Sequence, residues 1–363
     1  PDIIQKKKCS KVLIITDAGI RKLGLTQRLE KVLAKNEIPY TIYDRTVANP
    51  TTENVAEAVE LYRANDCRAI IGFGGGSSMD CAKATGARIA KPHQSLAKMK
   101  GILKVHKRLP LLIAIPTTAG TGSETTLAAV ITDAETRYKY AINDFPLIPR
   151  YAVLDPKVTL SLPPAITAST GMDALTHAVE AYLCWTNNTA ESIRLAEEAV
   201  NAIFKYLERA YNNGSDMEAR EEMLKASFKA GFAFTRAGVG NVHAIAHTMG
   251  GIYGTPHGLA NAVILPIVLE DYGEVVYKKL AHLAEISGVA RTGSDEEKAK
   301  AFIAEIYAMN KRMGIPEGLH VEEKDIPQMV EWALAEANPT YPVPVLYDEA
   351  RCAAVIRRIN ERA

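Results

Sequence analysis

The sequence lacks an excess of charge of either sign. Its 363 residues include 43 Lys and Arg residues against 42 Asp and Glu residues, which gives a formal net charge of +1 at pH 7. So small a charge creates no field that would gather nucleic acid or an anionic membrane around the protein. The composition therefore argues against nucleic-acid binding.

Long hydrophobic runs and cysteine pairs are also missing. No apolar stretch reaches the roughly 18 residues that a membrane helix needs, and the longest, residues 262–269, contains Pro266. We therefore expect no membrane partner. The five cysteines are odd in number and form no Cys-x-x-Cys pair. This pattern is typical of reduced thiols and predicts a cytoplasmic protein.

The length of 363 residues indicates two domains, since about 150 residues per domain is typical. The composition is that of an ordinary globular protein. Residues 12–154 alternate short β-branched runs with segments of helical period, which predicts a parallel sheet covered by helices on both faces. Five prolines fall within residues 146–164, after which the sequence has helical period only. We predict an α/β domain of residues 1–155 and an all-helical domain of residues 156–363.

Two glycine-rich loops follow predicted strands in the first half. GGGSSMD occupies residues 74–80, and PTTAGTGSE occupies residues 116–124. Glycines let backbone N–H groups at a helix start approach a phosphate, and open α/β sheets hold ligands at the carboxyl ends of their strands. A tight turn explains the first loop equally well, and a capping box from Thr121 to Glu124 could explain the second. The first loop is neither a Walker motif nor an ordinary Rossmann fingerprint.

Asp44 follows the second predicted strand, residues 39–43. A carboxylate at this position can hydrogen-bond ribose hydroxyls and repel a 2′-phosphate, which would favour NAD over NADP. Taken alone, an aspartate in a turn is the simpler interpretation, and the neighbouring Arg45 weakens the argument for exclusion.

Histidine is scarce, and four of the eight histidines lie within residues 177–257. Two pairs of candidate ligands are spaced i, i+4, so the members of each pair share one face of a helix. A fifth candidate follows a proline that suits the start of another helix. The pairs are Asp173 with His177 and His243 with His247, and the fifth residue is His257.

A single histidine in an apolar helix is more often a hydrogen-bonded core residue than a ligand. Burying four histidines and an aspartate together without a cation would, however, be costly. A divalent metal supplies the compensating charge, and a set of carboxylate and imidazole groups suits Fe²⁺ or Zn²⁺. The sequence therefore predicts a metal site.

Together these motifs resemble the iron-containing (group III) alcohol dehydrogenase family, from about residue 11 almost to the carboxyl end. The motifs that carry the resemblance are GGGS at 74–77, TTAGT at 117–121, GMDALTH at 171–177 and the run 243–266. The resemblance implies a dehydroquinate synthase-like two-domain plan. In that plan a dinucleotide-binding α/β domain and an all-helical metal domain flank a cleft, and homodimers are usual.

The resemblance also implies roles for individual residues. The implied metal ligands are Asp173, His177, His243 and His257. The implied catalytic residue is His247, near the nicotinamide. The implied contacts to NAD are Asp44 at the ribose, Gly75, Gly76 and Ser77 at the pyrophosphate, Thr117 and Thr118 in the second loop, and Lys139.

The activity that the resemblance implies is hydride transfer between NAD(H) and a small alcohol/aldehyde pair, assisted by Fe²⁺. Four protein ligands favour iron over catalytic zinc, which more often has three, although Zn²⁺ stays an alternative. His247 could relay a proton or only orient the nicotinamide or substrate. Three competing functions are a metal-dependent lyase or cyclase, a glycerol dehydrogenase-like polyol enzyme, and a metal-stabilised interaction protein without turnover.

Overall fold

The structure, a computed structural model, describes residues 1–363, and these residues form two compact units. Eight strands and six α-helices lie in the first unit, whereas the second contains nine α-helices and no strand. The predicted fold class, an α/β part followed by an all-helical part, is thereby confirmed. The first unit consists of Pro1–Thr118 and Ser123–Val158, and the second consists of Ala119–Gly122 and Thr159–Ala363.

Most strands of the first unit are short apolar runs. In chain order the strands are β1 (Val12–Ile15), β2 (Tyr40–Tyr43), β3 (Ala69–Gly74), β4 (Gly101–Ile102), β5 (Leu111–Pro116), β6 (Ala128–Thr132), β7 (Lys139–Asn143) and β8 (Tyr151–Ala152). Five of them form a parallel sheet in the order β2-β1-β3-β5-β8. Leu13 and Ile15 belong to one apolar cluster, whereas Val12 and Ile14 belong to another. The sheet is therefore buried on both faces, which explains why its strands are apolar without alternation.

The parallel sheet predicted within residues 12–154 is present, but it does not include β6 or β7. These two strands form an antiparallel hairpin, to which β4 adds, and the three make a separate small sheet. The turn of the hairpin is closed by Asp133, whose Oδ1 accepts hydrogen bonds from the N–H groups of Glu135 and Thr136. Turn chemistry of this kind joins neighbouring antiparallel strands, which apolar composition alone does not reveal.

Three of the six helices of the first unit open without a side-chain cap, and one of them follows the first glycine-rich loop. They are α1 (Asp2–Lys6), α2 (Ala18–Lys22), α3 (Thr26–Lys35), α4 (Thr52–Ala64), α5 (Gly76–Ala90) and α6 (Leu96–Met99). Helix α4 begins with a capping box between Thr51 and Asn54. Helix α5 begins directly after Gly75, and no side chain caps it. The first N–H groups of α5 therefore lack the side-chain partner that α4 has.

The second unit contains three helices whose residues are mostly buried, α7, α10 and α11. Its helices are α7 (Pro164–Leu183), α8 (Ala190–Asn212), α9 (Met217–Ala237), α10 (Asn241–Tyr253), α11 (His257–Tyr272), α12 (Glu274–Ser287), α13 (Asp295–Arg312), α14 (Ile326–Ala337) and α15 (Glu349–Glu361). A helix that is apolar on all sides belongs in the centre of a helical domain. None of the helices combines the length and the apolar character needed to span a membrane.

Candidate metal centre and nucleotide-binding loops

Three buried helices bring the four predicted metal ligands together. Asp173 and His177 lie one turn apart on α7, His243 lies on α10, and His257 is the first residue of α11. The potential ligand atoms of these four residues all lie within 4.8 Å of one another. The first three side chains are buried, whereas 40% of the His257 side chain is exposed. The set is therefore preorganised and keeps one accessible side.

A glycine permits the close approach of α11 to α7. A Cβ atom added to Gly258 would lie 2.4 Å from the backbone oxygen of Ser169 and 3.4 Å from Cβ of Asp173. Only a residue without a side chain fits at that distance. Because Gly258 follows His257 directly, this contact sets the position of His257 relative to Asp173, and Nε2 of His257 lies 3.4 Å from Oδ1 of Asp173.

The amide of Asn261 lies among the candidate ligands. Its Nδ2 group donates a 2.7 Å hydrogen bond to Oδ1 of Asp173 and lies 3.1 Å from Nε2 of both His243 and His257. Its Oδ1 atom is buried and has no hydrogen-bond partner. The lone pairs of one carboxylate and two imidazoles thus face a common point inside the protein.

Burial keeps the enclosed imidazoles in the neutral form that binds metals. Burial lowers the pKa of His177, although the nearby Asp173 carboxylate opposes the shift. Burial and the surrounding histidines lower the pKa of His243 well below its usual value. Neutral imidazole and carboxylate are the donors that Fe²⁺ and Zn²⁺ accept, and ligand nitrogens must be deprotonated to bind. The residues present therefore fit a divalent metal ion.

A buried carboxylate behind His243 was not predicted from the sequence. Oε2 of Glu180 lies 2.5 Å from Nδ1 of His243, and Oε1 accepts a 2.8 Å hydrogen bond from the N–H group of Val242. Burial raises the pKa of Glu180 to about 8, although backbone N–H groups oppose this. With Nδ1 engaged, Nε2 of His243 faces the other ligands. The signal in the sequence was an acidic residue seven positions after Asp173, on the same helix face.

His247 lies beside the metal set without belonging to it. Its ring stacks on that of His257 with centroids 5.2 Å apart and stands edge-on to that of His243 at 6.0 Å. The side chain is 41% exposed, and its Nδ1 is engaged by a carboxylate of α14. The predicted catalytic histidine is thus close to the candidate metal position and open to water.

The two glycine-rich loops meet at the carboxyl ends of β3 and β5, which are neighbouring strands. The N–H group of Thr117 donates a 3.0 Å hydrogen bond to the carbonyl of Gly74, and a Cβ atom on Gly75 would lie 3.5 Å from the Thr118 side chain. Gly76 and Ser77 form the uncapped start of α5. The structure therefore brings together five of the predicted cofactor residues.

Unused hydrogen-bonding groups in these loops fit a bound phosphate. The hydroxyl groups of Ser78 and Thr118 are buried without a partner, and the start of α5 offers N–H groups and a partial positive charge. The alternative explanation of the second loop, a capping box from Thr121 to Glu124, would need an α-helix that begins there. Only a 3₁₀ turn, Ser123–Thr125, forms there, so no α-helix needs the cap.

The other two predicted cofactor residues, Asp44 and Lys139, do not lie on β3, β5 or the loops that follow these strands. Asp44 follows β2 at the same edge of the sheet, two strands from β3, and its nearest cation is Nε of Arg21 at 3.6 Å. The adjacent Arg45 is paired with Glu57 at 3.0 Å. Lys139 lies on β7 of the small sheet, and its Nζ group donates a 2.8 Å hydrogen bond to Asn49.

A buried lysine anchors the segment that follows the second loop. Nζ of Lys83 on α5 is fully buried and donates hydrogen bonds to Ser123, to the hydroxyl and carbonyl of Thr126, and to the carbonyl of Ala128. Burial lowers the pKa of Lys83 to about 8, while the nearby Asp80 carboxylate opposes that shift. This cluster was not predicted from the sequence, although Asp80 and Lys83 have the i, i+3 spacing of a helical ion pair.

Two family models together match most of the chain. The model described as iron-containing alcohol dehydrogenase matches residues 1–156, and the C-terminal model of the Fe-containing alcohol dehydrogenase family matches residues 167–359. The chain belongs to the iron-containing alcohol dehydrogenase family. The resemblance noted from its motifs is thereby confirmed, together with the class of enzyme, a metal-dependent alcohol oxidoreductase.

Individual relatives of this iron-containing alcohol dehydrogenase are similar over nearly its whole length. The 1,3-propanediol dehydrogenase of Klebsiella pneumoniae is 39% identical over 96% of this chain and 91% of its own. The NAD-dependent methanol dehydrogenase of Bacillus methanolicus is 37% identical over 91% of this chain and 88% of its own. A crystal structure of a 1,3-propanediol oxidoreductase superposes with a TM-score of 0.95, at 37% identity, over 99% of this chain and 94% of that one.

We predict that Glu180→Gln weakens metal binding by this dehydrogenase about 10- to 100-fold, because a carboxylate that holds a ligating imidazole increases its basicity and fixes its orientation. Competition between the protein and a chelator for Zn²⁺ measures the affinity. The control is Glu197→Gln, which makes the same change at the exposed pair between Glu197 and His282. Equal affinities of the two variants would contradict the role of Glu180.

Proposed function

We propose that the protein is an NAD(H)-dependent dehydrogenase that interconverts a small alcohol and its aldehyde with the help of Fe²⁺. The observation that carries the proposal is the convergence of Asp173, His177, His243 and His257 within 4.8 Å, with the imidazoles of His177 and His243 held neutral by burial. Family membership supplies the class of reaction. The choice of Fe²⁺ over Zn²⁺ rests on the four protein ligands, since catalytic zinc more often has three.

The charges of this donor set suit the chemistry. When bound, a divalent ion would act as a Lewis acid on the substrate oxygen, and NAD would exchange the hydride with the substrate carbon. Asp173 is the only anion among the four proposed ligands. One carboxylate does not cancel a double positive charge, so the site stays electropositive where negative charge develops on the substrate oxygen.

The loops of the first unit would bind the cofactor. Gly75 and Gly76 allow the pyrophosphate to approach the start of α5, where Ser77 and the backbone N–H groups can donate hydrogen bonds. The hydroxyl groups of Thr117 and Thr118 would contact the cofactor from the second loop, and Lys139 would add a positive charge. A relative named as NAD-dependent supports the choice of nucleotide.

His247 would move the proton that accompanies hydride transfer. Its ring lies next to that of His257, and 41% of its side chain is open to water. An imidazole ring nitrogen can accept a proton and the other can donate one, so His247 can pass a proton between the substrate hydroxyl and solvent. Orientation of the nicotinamide alone would not need this exposure.

The proposed substrate is a short alcohol, which agrees with the propanediol and methanol named for two relatives. A homodimer is proposed on the family resemblance alone. All five cysteines are unpaired, and four are buried, so we also propose that the protein works in a reducing, cytoplasmic compartment.

The test of this proposal is NADH oxidation with a panel of short aldehydes under anaerobic conditions. Chelated protein should be inactive, and returning Fe²⁺ should restore turnover, whereas Zn²⁺ should restore less. A Mg²⁺ arm controls for a non-specific ionic effect. The absence of turnover with every aldehyde, despite metal uptake, would contradict the proposal.

Replacing the carboxylate at the ribose end should relax the choice of cofactor. We predict that Asp44→Asn shifts the ratio of kcat/KM for NADH over NADPH by about tenfold towards NADPH, because it removes the repulsion of the 2′-phosphate. Asp44→Glu retains the negative charge and should keep the preference for NADH. An unchanged ratio in Asp44→Asn would show that Asp44 does not select the cofactor.

A further inference from the structure

A second carboxylate–imidazole pair lies one helical turn from the pair formed by Glu180 and His243. Oε1 of Glu336, near the end of α14, lies 2.6 Å from Nδ1 of His247 on α10. The two residues are 89 positions apart in the sequence. Glu336 is outside the proposed metal set, and the proposed function gives it no role.

The Glu336 carboxylate is itself held in place by a tyrosine. The hydroxyl of Tyr341 lies 2.5 Å from the same Oε1 atom, and the N–H group of Tyr341 donates a 2.7 Å hydrogen bond to the carbonyl of Ala337. The chain thus folds back over the end of α14. Burial and the Glu336 carboxylate raise the pKa of Tyr341 well above its usual value, so the hydroxyl keeps its proton and donates it. Oε1 then acts as an acceptor, and Nδ1 of His247 must be the donor.

Ring stacking alone does not choose between the two orientations of the His247 imidazole. The stack on His257 and the edge contact with His243 define the plane of the ring. A half-turn about χ2 exchanges nitrogen for carbon at both positions while keeping that plane. The hydrogen bond to Glu336 distinguishes the two orientations, because only one of them places Nδ1 against the carboxylate.

We propose that Glu336, steadied by Tyr341, is a positioning residue that holds His247 with its proton on Nδ1 and leaves Nε2 for proton exchange with the substrate. This inference rests on the role of His247 in the proposed function. The same arrangement directs Nε2 of His243 towards the metal ligands, whereas His247 is not a member of that set. An orienting carboxylate is how the imidazole of hydrolase triads is kept in its working tautomer.

The expected kinetic effect is a loss of turnover without a loss of binding. Glu336→Gln and Glu336→Ala should lower kcat about 10- to 100-fold, which is less than the roughly 10²- to 10⁴-fold that acid–base catalysis contributes as a whole, because both variants retain His247. The KM for NADH and the metal content should stay at the wild-type level. The control is Glu331→Gln, an exposed position on the same helix. An unchanged kcat in both Glu336 variants would overturn the proposal, as would a loss that is fully explained by missing metal.

Two further measurements separate positioning from a structural role. In Zn²⁺-loaded protein with ¹⁵N-labelled histidine, the His247 signals should indicate the Nδ1–H tautomer and should move towards the Nε2–H tautomer in Glu336→Ala. His247→Asn provides the assignment. The double variant Glu336→Gln/His247→Asn should be no slower than His247→Asn alone. An unmoved tautomer, or losses that multiply in the double variant, would overturn the proposal.

Failure of this inference differs from failure of the proposed function. If the wild-type protein reduces no aldehyde, the proposed function fails, yet the ¹⁵N measurement still shows whether Glu336 sets the tautomer of His247. If the wild type is active and His247→Asn keeps its full kcat, the proposed function survives with another proton path. In that case the catalytic part of this inference is overturned.

Discussion

His243→Ala should leave the protein without stoichiometric metal and lower its turnover by about a thousandfold, since loss of a Lewis acid removes several kcal/mol of transition-state stabilisation. His243 is the most enclosed of the three imidazoles, and its Nδ1 is held by Glu180. The substitution removes one of the four donor side chains and leaves an empty space where Glu180 held the imidazole. Elemental analysis after anaerobic loading with Fe²⁺ measures the metal content.

The same variant should lose the stabilisation that metal gives to the folded state. A ligand at about a thousand times its dissociation constant stabilises a protein by about 4 kcal/mol. The unfolding midpoint of the wild type should therefore rise when the metal is added, and that of His243→Ala should not. His282→Ala, a change at an exposed histidine of the same unit, serves as control. Full metal occupancy in His243→Ala would show that the four residues do not form the site.

Gly258→Ala should disrupt the metal site without altering any ligand. The new Cβ atom would lie 2.4 Å from the backbone oxygen of Ser169, so the start of α11 would have to move away from α7. His257 precedes this glycine and would move with it, away from Asp173. We expect a loss of about 1–3 kcal/mol in the free energy of unfolding, as for other overpacked sites. Metal affinity should fall about 100-fold, which corresponds to 2.7 kcal/mol.

The matched control is Gly250→Ala on α10. There the nearest atom to a new Cβ is the backbone oxygen of Thr255 at 3.6 Å, which is an ordinary contact. Its unfolding midpoint and metal affinity should stay close to those of the wild type. Denaturant unfolding and chelator competition measure both quantities. Wild-type metal affinity in Gly258→Ala would mean that the contact of α11 with α7 does not set the ligand geometry.

The candidate ligands could be predicted because their signal is local. Asp173 and His177 are four residues apart, and so are His243 and His247, which places each pair on one helix face. The scarcity of histidine elsewhere made the cluster visible. The glycine loops were equally local, since each follows a strand directly. The small sheet of β4, β6 and β7 was missed because hairpin pairing depends on turn geometry rather than on strand composition.

The sequence by itself determined the order of an α/β part and a helical part, the positions of both glycine loops, and the residue types of the proposed metal ligands. Periodicity, turn residues and the spacing of polar side chains all act over a few positions, so they can be read along the chain. Only the tertiary structure decided that Glu180 supports His243 and that Glu336 and Tyr341 hold His247. The two carboxylate–imidazole contacts join residues that are 63 and 89 positions apart in the sequence, and the packing of apolar faces that creates them leaves no local pattern.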